Sequence, residues 1–223
     1  MRIKICGITR PEEAEYLNEN RVDYAGFVFY GPSKRNVSIE TAERIAALLL
    51  PDIKKVAVTV SPSADDIRRI QEAGFADILQ IHKELRKESV KEATLPVWYA
   101  LNLPAARKPS DALTQILQPI EALPDELHER ITGLLADAPQ FGSGKTFDWK
   151  GSAEMFRAVA ESPPDGIKRL LILAGGLNSE NVPEGISTFR PDIVDVSSGV
   201  EGNFGKDRNM IAAFAKAARG ETR

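Results

Sequence analysis

Eight short apolar runs rich in Val, Ile and Leu recur along the 223 residues: Arg2–Cys6, Tyr24–Phe29, Lys54–Val60, Ala76–Ile81, Val97–Asn102, Ile131–Asp137, Arg169–Ala174 and Ile193–Ser197. They are near-continuous rather than alternating, the pattern of strands covered on both faces in a parallel sheet. Apolar residues at helical spacing fill the intervals, over Glu12–Asn20, Ser38–Leu50, Ala64–Ala73, Glu84–Ala93, Asp111–Glu121, Ser152–Glu161, Ser179–Phe189 and Asp207–Ala218. Eight strands alternating with eight helices, with no polar linker between halves, predict an α/β fold: one (β/α)8 TIM barrel domain spanning residues 1–223. An open doubly wound sheet is the alternative.

Local signals sharpen several boundaries. Ser38 reads as the cap of the second helix and Pro51 as its stop; Ser63 or Ala64 opens the third, with Asp65 and Asp66 in the first turn and Gly74 closing it. Prolines at 104, 109, 119 and 124 predict an irregular or divided helix within Leu103–Arg130.

Composition narrows the partner. At 43% hydrophobic and 27% charged residues the chain reads as an ordinary globular protein, and its formal charge of −3 offers no footprint for nucleic acid. No dense Lys/Arg block suggests a membrane surface, and no apolar run reaches the length of a membrane span. The charged opening Met1-Arg2-Ile3-Lys4 is unlike a signal peptide, so the cytoplasm is expected. A single cysteine cannot form an intrachain disulfide, and with His82 and His128 far apart no metal cluster of the usual N/S type is expected. A small-molecule ligand is therefore expected, bound by a monomer or a homodimer.

In a closed barrel, function gathers where the strands end: at Cys6, Tyr30, Val60, His82, Asn102, Asp137, Gly175 and Ser197. Cys6 stands where a buried strand opens through Gly7 into a helix start, a place where a helix N-terminus or a cation can tune a thiol toward thiolate. It reads as a catalytic base, against the alternative of a small buried hydrophobe. Asp137, after the apolar Gly133-Leu134-Leu135-Ala136, sits at the rim of a low-dielectric interior that can raise a carboxyl pKa, which suits a general acid. A helix cap or a surface-turn acid is its alternative.

Gly175 and Gly176 after the seventh strand, with Ser197, Ser198 and Gly199 after the eighth, occupy the usual phosphate site of such barrels. Backbone N–H groups, serine hydroxyls and a short helix start after Ser198 would supply the donors. Phe141-Gly142-Ser143-Gly144-Lys145-Thr146 lacks the spacing of a nucleotide phosphate loop and reads as an active-site flap, packed by Phe147-Asp148-Trp149. Arg35 could hold a substrate carboxylate in a bidentate pair, or be a solvated loop charge. His82 reads equally as a substrate hydrogen-bonding group or a satisfied rim histidine. Lys4 shares the inward direction of Cys6, and if the first and eighth strands meet it pairs with Asp195 in a structural ion pair.

Together these stretches resemble the phosphoribosylanthranilate isomerase family of tryptophan biosynthesis over nearly the whole chain. The resemblance rests on Lys4-Ile5-Cys6-Gly7-Ile8-Thr9, Gly26-Phe27-Val28-Phe29 with Ser33-Lys34-Arg35, Gln80-Ile81-His82, Gly142-Ser143-Gly144 before Phe147-Asp148-Trp149, Leu173-Ala174-Gly175-Gly176-Leu177, and Asp195-Val196-Ser197-Ser198-Gly199-Val200-Glu201. It implies a barrel that performs an Amadori rearrangement of a phosphorylated substrate without metal or organic cofactor. By the same resemblance Asp137 is the acid, Cys6 the base, Arg35 faces the anthranilate carboxylate, and Gly175, Gly176, Ser197 and Ser198 surround the phosphate. The chain departs from the family pattern at Lys83, where a glycine generally stands, at Thr59 and Ser61, at Ala136 and Ala138 flanking Asp137, and at Phe141. A non-catalytic sugar-phosphate-binding paralogue and another sugar-phosphate barrel enzyme are the competing readings.

Overall fold

The computed structural model describes residues 1–102, 118–137, 152–154 and 165–221. Eight parallel strands close on themselves in sequence order: β1 (Arg2–Cys6), β2 (Tyr24–Phe29), β3 (Lys54–Val60), β4 (Ile78–His82), β5 (Val97–Asn102), β6 (Ile131–Asp137), β7 (Leu170–Leu173) and β8 (Ile193–Val196). The ring is a barrel, not an open sheet, because β8 pairs with β1 in the register Lys4 opposite Asp195. Five of the eight expected strands keep their bounds to the residue. The fourth starts two residues later than expected and ends one later, and the seventh and eighth lose end residues.

Both faces of the strands are buried, which is why the apolar runs are continuous rather than alternating. Val28, Val58, Ile78, Trp98, Ala100, Leu135, Ile172 and Ile193 point inward and fill the barrel. Their neighbours Ile5, Phe27, Ala57, Leu79, Ile81, Tyr99, Leu134 and Val194 point outward into a second core shared with the helices. Three aspartates latch the N-terminal rim: Asp23, Asp77 and Asp192, each just before a strand, accept the backbone N–H of Ile3, Lys55 and Leu171, all at 2.8 Å.

Six helices are described from end to end: α1 (Pro11–Glu19), α2 (Ile39–Ala46), α3 (Ala64–Glu72), α4 (Lys87–Glu92), α5 (Val182–Phe189) and α6 (Arg208–Arg219). Ser38 caps α2 by accepting the Thr41 N–H, and Ser63 caps α3 in a reciprocal box with Asp66. Helix α2 does not run to Pro51 as expected but ends at Ala46. Asn18 of α1 supplies the reason: its side-chain amide donates to the Leu48 carbonyl at 2.8 Å and accepts the Leu50 N–H at 2.9 Å. A neighbouring helix thus satisfies the backbone groups that another turn of α2 would have used.

Of the segment after β5, residues 118–121 are helical and a 3-10 helix, Asp125–Arg130, follows Pro124. The expected flap and Phe147-Asp148-Trp149 lie outside the described residues, as does most of the expected sixth helix. After β8 the chain makes a single 3-10 turn, Ser198–Val200, then a two-stranded hairpin of β9 (Glu201–Gly202) and β10 (Gly205–Lys206) before α6.

Candidate active site at the C-terminal rim

Because all eight strands are parallel and the barrel is closed, their C-terminal ends share one rim, and the predicted site residues lie along it. Cys6 ends β1 with its side chain in contact with the interior core, and it is half-buried. Asp137 ends β6 in register with Asn102 of β5 and is buried. It follows Gly133 and Leu135 on the inward side of its strand, so the surface-turn alternative fails.

Two ammonium groups flank the thiol. Lys4, one inward position below Cys6, is fully buried and donates to Asp195 Oδ2 at 2.8 Å, which is the expected interior ion pair. Burial works against its charge, but Asp195 and Cys6 outweigh burial and hold the ammonium above its ordinary value. Lys206 arrives from the hairpin, buried, with Nζ donating to Glu201 Oε1 at 2.8 Å, to the Ser197 carbonyl at 3.0 Å and to Ser197 Oγ at 3.2 Å.

The Cys6 thiol is nonetheless not tuned toward thiolate, and that expectation is corrected. Burial is the largest influence and pushes the thiol up, Asp195 adds to it, and Lys4 and Lys206 recover only part.

Arg35 stands at the mouth after β2, brought close to the β1 turn because Gly7 has no side chain. A Cβ on Gly7 would occupy the place of the Arg35 Cδ, and its φ of +83° lies in the region that favours glycine. The guanidinium fork is already engaged: Nε donates to Glu201 Oε1 at 2.5 Å and Nη2 to Glu201 Oε2 at 2.9 Å. The solvated-loop alternative for Arg35 thus fails, and one edge of the fork expected to hold a substrate carboxylate is engaged by a carboxylate of the protein itself. Lys34 adds a third cation to Glu201 at 3.1 Å. Burial favours the neutral acid, but Arg35 and Lys206 overwhelm it and hold the Glu201 carboxyl far below the usual carboxylate range.

At the two loops expected to hold a phosphate, Gly175 and Gly176 both have positive φ, +82° and +65°. Gly199 is pressed so close to the Leu177 backbone that a Cβ there would overlap the Leu177 carbonyl oxygen, so the two loops interlock through it. The Ser197 hydroxyl is not aimed at a ligand as expected: it donates to the Cys6 carbonyl at 2.9 Å.

His82 ends β4 and is buried. Burial, then Lys4, pushes its imidazole down to about 3, so the ring is neutral. Gln80 Nε2 lies 2.8 Å from His82 Nε2, and with a neutral ring the amide donates. The two departures beside it share a backbone feature: Ser61 and Lys83 have φ of +46° and +64°. The Ser61 N–H donates to the His82 carbonyl at 2.9 Å, and the Lys83 carbonyl accepts from the Tyr99 hydroxyl at 2.9 Å.

Lys206 and the role of Glu201 were missed from sequence. Their one signal is the four-residue span Gly202-Asn203-Phe204-Gly205, which as a hairpin turn makes Glu201 and Lys206 cross-strand neighbours. Among the described residues no group of three or more His, Cys, Asp or Glu could hold a metal ion, and no helix is long and apolar enough to cross a membrane.

The family model for N-(5'-phosphoribosyl)anthranilate (PRA) isomerase matches residues 3–217. An N-(5'-phosphoribosyl)anthranilate isomerase of Listeria innocua is 36% identical, over 99% of this chain and 98% of the relative. The crystal structure of phosphoribosyl anthranilate isomerase from Thermotoga maritima superposes with a TM-score of 0.80 at 33% identity, covering 99% of each chain. A phosphoribosyl anthranilate isomerase in complex with reduced 1-(o-carboxyphenylamino)-1-deoxyribulose 5-phosphate gives a TM-score of 0.75 at 32% identity, again over 99% of each chain. With a matched region that runs from Ile3 in β1 into the last helix, the chain belongs to the N-(5'-phosphoribosyl)anthranilate isomerase family.

Proposed function

We propose that this chain catalyses the Amadori rearrangement of N-(5'-phosphoribosyl)anthranilate to 1-(2-carboxyphenylamino)-1-deoxyribulose 5-phosphate, with Asp137 as general acid and Cys6 as general base. The carboxyl of Asp137 donates its proton to the ribose ring oxygen while the anilino nitrogen lone pair forms the C1'=N bond, opening the ring to a Schiff base. Cys6, as thiolate, then takes the C2' proton, and the electrons of that bond neutralise the iminium to give an enolamine. Tautomerisation to the ketone completes an isomerisation that neither gains nor loses a proton overall.

The supporting observation is that a thiol and a carboxyl group 131 residues apart in sequence occupy the inward side of one barrel rim. The loops of Gly175, Gly176, Ser198 and Gly199 lie on the same rim and suit the phosphate end of the substrate through backbone N–H groups. Arg35 suits the carboxylate end. Its Nη1 remains available to a substrate carboxylate while Glu201 keeps the other edge of the guanidinium in place. Neutral His82 at the end of β4 adds no charge to the site.

The test is turnover of phosphoribosylanthranilate generated in place from anthranilate and followed by the loss of anthranilate-type fluorescence. The reading requires conversion by the purified protein. Binding of the reduced product analogue with no conversion would leave a sugar-phosphate-binding paralogue instead.

A further inference from the structure

We propose that Lys206 is a positioning residue for the reaction: from the hairpin after β8 it supplies positive charge to the Cys6 base and fixes Ser197, with Glu201 as the counter-charge that joins it to Arg35. The inference rests on Cys6 being the base. An ammonium has three N–H donors, and Lys206 Nζ has three acceptors: Glu201 Oε1 at 2.8 Å, the Ser197 carbonyl at 3.0 Å and Ser197 Oγ at 3.2 Å. With every donor committed, it acts through its neighbours rather than by touching substrate.

One of those neighbours is tied to the base. Ser197 Oγ donates to the Cys6 carbonyl at 2.9 Å, so two hydrogen bonds link the ammonium to the backbone of residue 6. The charge is felt as well as the chain of bonds: Lys206 draws the Cys6 thiol down, and Cys6 draws the Lys206 ammonium up.

Burying an ammonium is costly, and burial does lower the Lys206 ammonium from its ordinary value. A purely structural hairpin would not need such a group. The hairpin is already held by its own pairing, by the Lys206 N–H donating to the buried Glu13 Oε1 at 2.9 Å, and by the Asp207 N–H donating to the Val200 carbonyl at 2.9 Å. The side chain adds a second cation to Lys4 where burial and Asp195 make Cys6 resist ionising. Glu201 completes the arrangement: one carboxylate binds Lys206 on the base side and Arg35 on the carboxylate-binding side, so both ends of the site share one counter-ion.

The test is the pH dependence of Cys6 alkylation by iodoacetamide, read beside kcat and KM, in Lys206→Met, Lys206→Gln and Lys206→Arg. Removing the charge moves the alkylation midpoint upward and slows alkylation at pH 7 by about tenfold, the effect of losing one nearby opposite charge. The same loss appears in kcat rather than in KM. Lys206→Arg keeps the charge and leaves the midpoint near that of the parent. Lys206→Gln keeps a hydrogen-bonding side chain and carries the test if Lys206→Met does not fold. An alkylation profile unmoved in the neutral variants, or moved equally in Lys206→Arg, overturns the proposal. Because alkylation reads the thiol without turnover, a protein without isomerase activity whose alkylation still shifts in the neutral variants fails the functional reading alone, and one whose alkylation does not shift fails this proposal as well.

Discussion

Lys4→Met tests the electrostatics beneath the site. Lys4 is 0% exposed and Asp195 7%, and Asp195 Oδ1 has no hydrogen-bond partner among the described residues, so the Lys4 ammonium at 2.8 Å is the chief compensation for a buried carboxylate. Removing one member of such a pair costs about 3–5 kcal/mol, because the other charge is left behind. Asp195 can escape by taking up a proton. Relative to an unfolded carboxyl near 3.9, that costs about 1.4 kcal/mol for each of the roughly three units up to pH 7, or about 4 kcal/mol. The two routes agree, and in a domain of this size they correspond to a fall in Tm of roughly 8–16 °C.

The pH dependence follows from the sign. Burial already pushes the Asp195 carboxyl up, and without Lys4 its folded pKa rises further above the unfolded value. A group raised in this way favours the fold below the unfolded pKa, and its contribution is lost as pH rises through the folded pKa. The deficit of Lys4→Met is therefore small near pH 4 and grows toward pH 7, while the double variant Lys4→Met/Asp195→Leu recovers most of it. Urea unfolding followed by circular dichroism measures both. A deficit under about 1 kcal/mol at pH 7, or one unchanged between pH 5 and 7, would refute the reasoning.

Two further outcomes are expected. Since burial holds the Cys6 thiol above its ordinary value, its thiolate fraction, read as the rate of iodoacetamide alkylation, keeps rising from pH 7 to beyond pH 8, and His82, held at about 3, adds no limb near 6.5 to the pH–rate profile. An alkylation rate that is already flat over that interval contradicts a thiol held above its ordinary value. Lys83 adopts φ +64°, so Lys83→Gly relieves a left-handed strain and raises stability by about 0.5–1 kcal/mol even after the glycine's greater unfolded-state entropy is counted. A lower urea midpoint in that variant would show that the Lys83 side chain contributes more than its backbone costs.

The barrel was legible because its information is local and repeated. Each strand needs apolar side chains on both faces, so the runs Arg2–Cys6, Tyr24–Phe29, Lys54–Val60, Val97–Asn102 and Ile131–Asp137 coincide with the observed strands. Strand alternation places Lys4 under Cys6, and barrel closure sets it against Asp195, so that pair too could be derived. What escaped depends on partners distant in sequence. Helix α2 stops before its proline because Asn18 of α1 takes over its backbone groups. Arg35 does not wait in solvent, because Glu201 returns to it from 166 residues away. The thiol of Cys6 is decided by a contest between burial, one carboxylate and two cations, and no local pattern records how much surface the fold removes from it.

The central claim is that Cys6 and Asp137 divide the proton transfers at one rim, and steady-state turnover of phosphoribosylanthranilate by Cys6→Ser and Asp137→Asn tests it most directly. Each variant is expected to fold with an unchanged circular dichroism spectrum, to bind the reduced product analogue, and to lose about 10²-fold or more in kcat. A kcat within a few-fold of the parent in either variant would contradict the assignment.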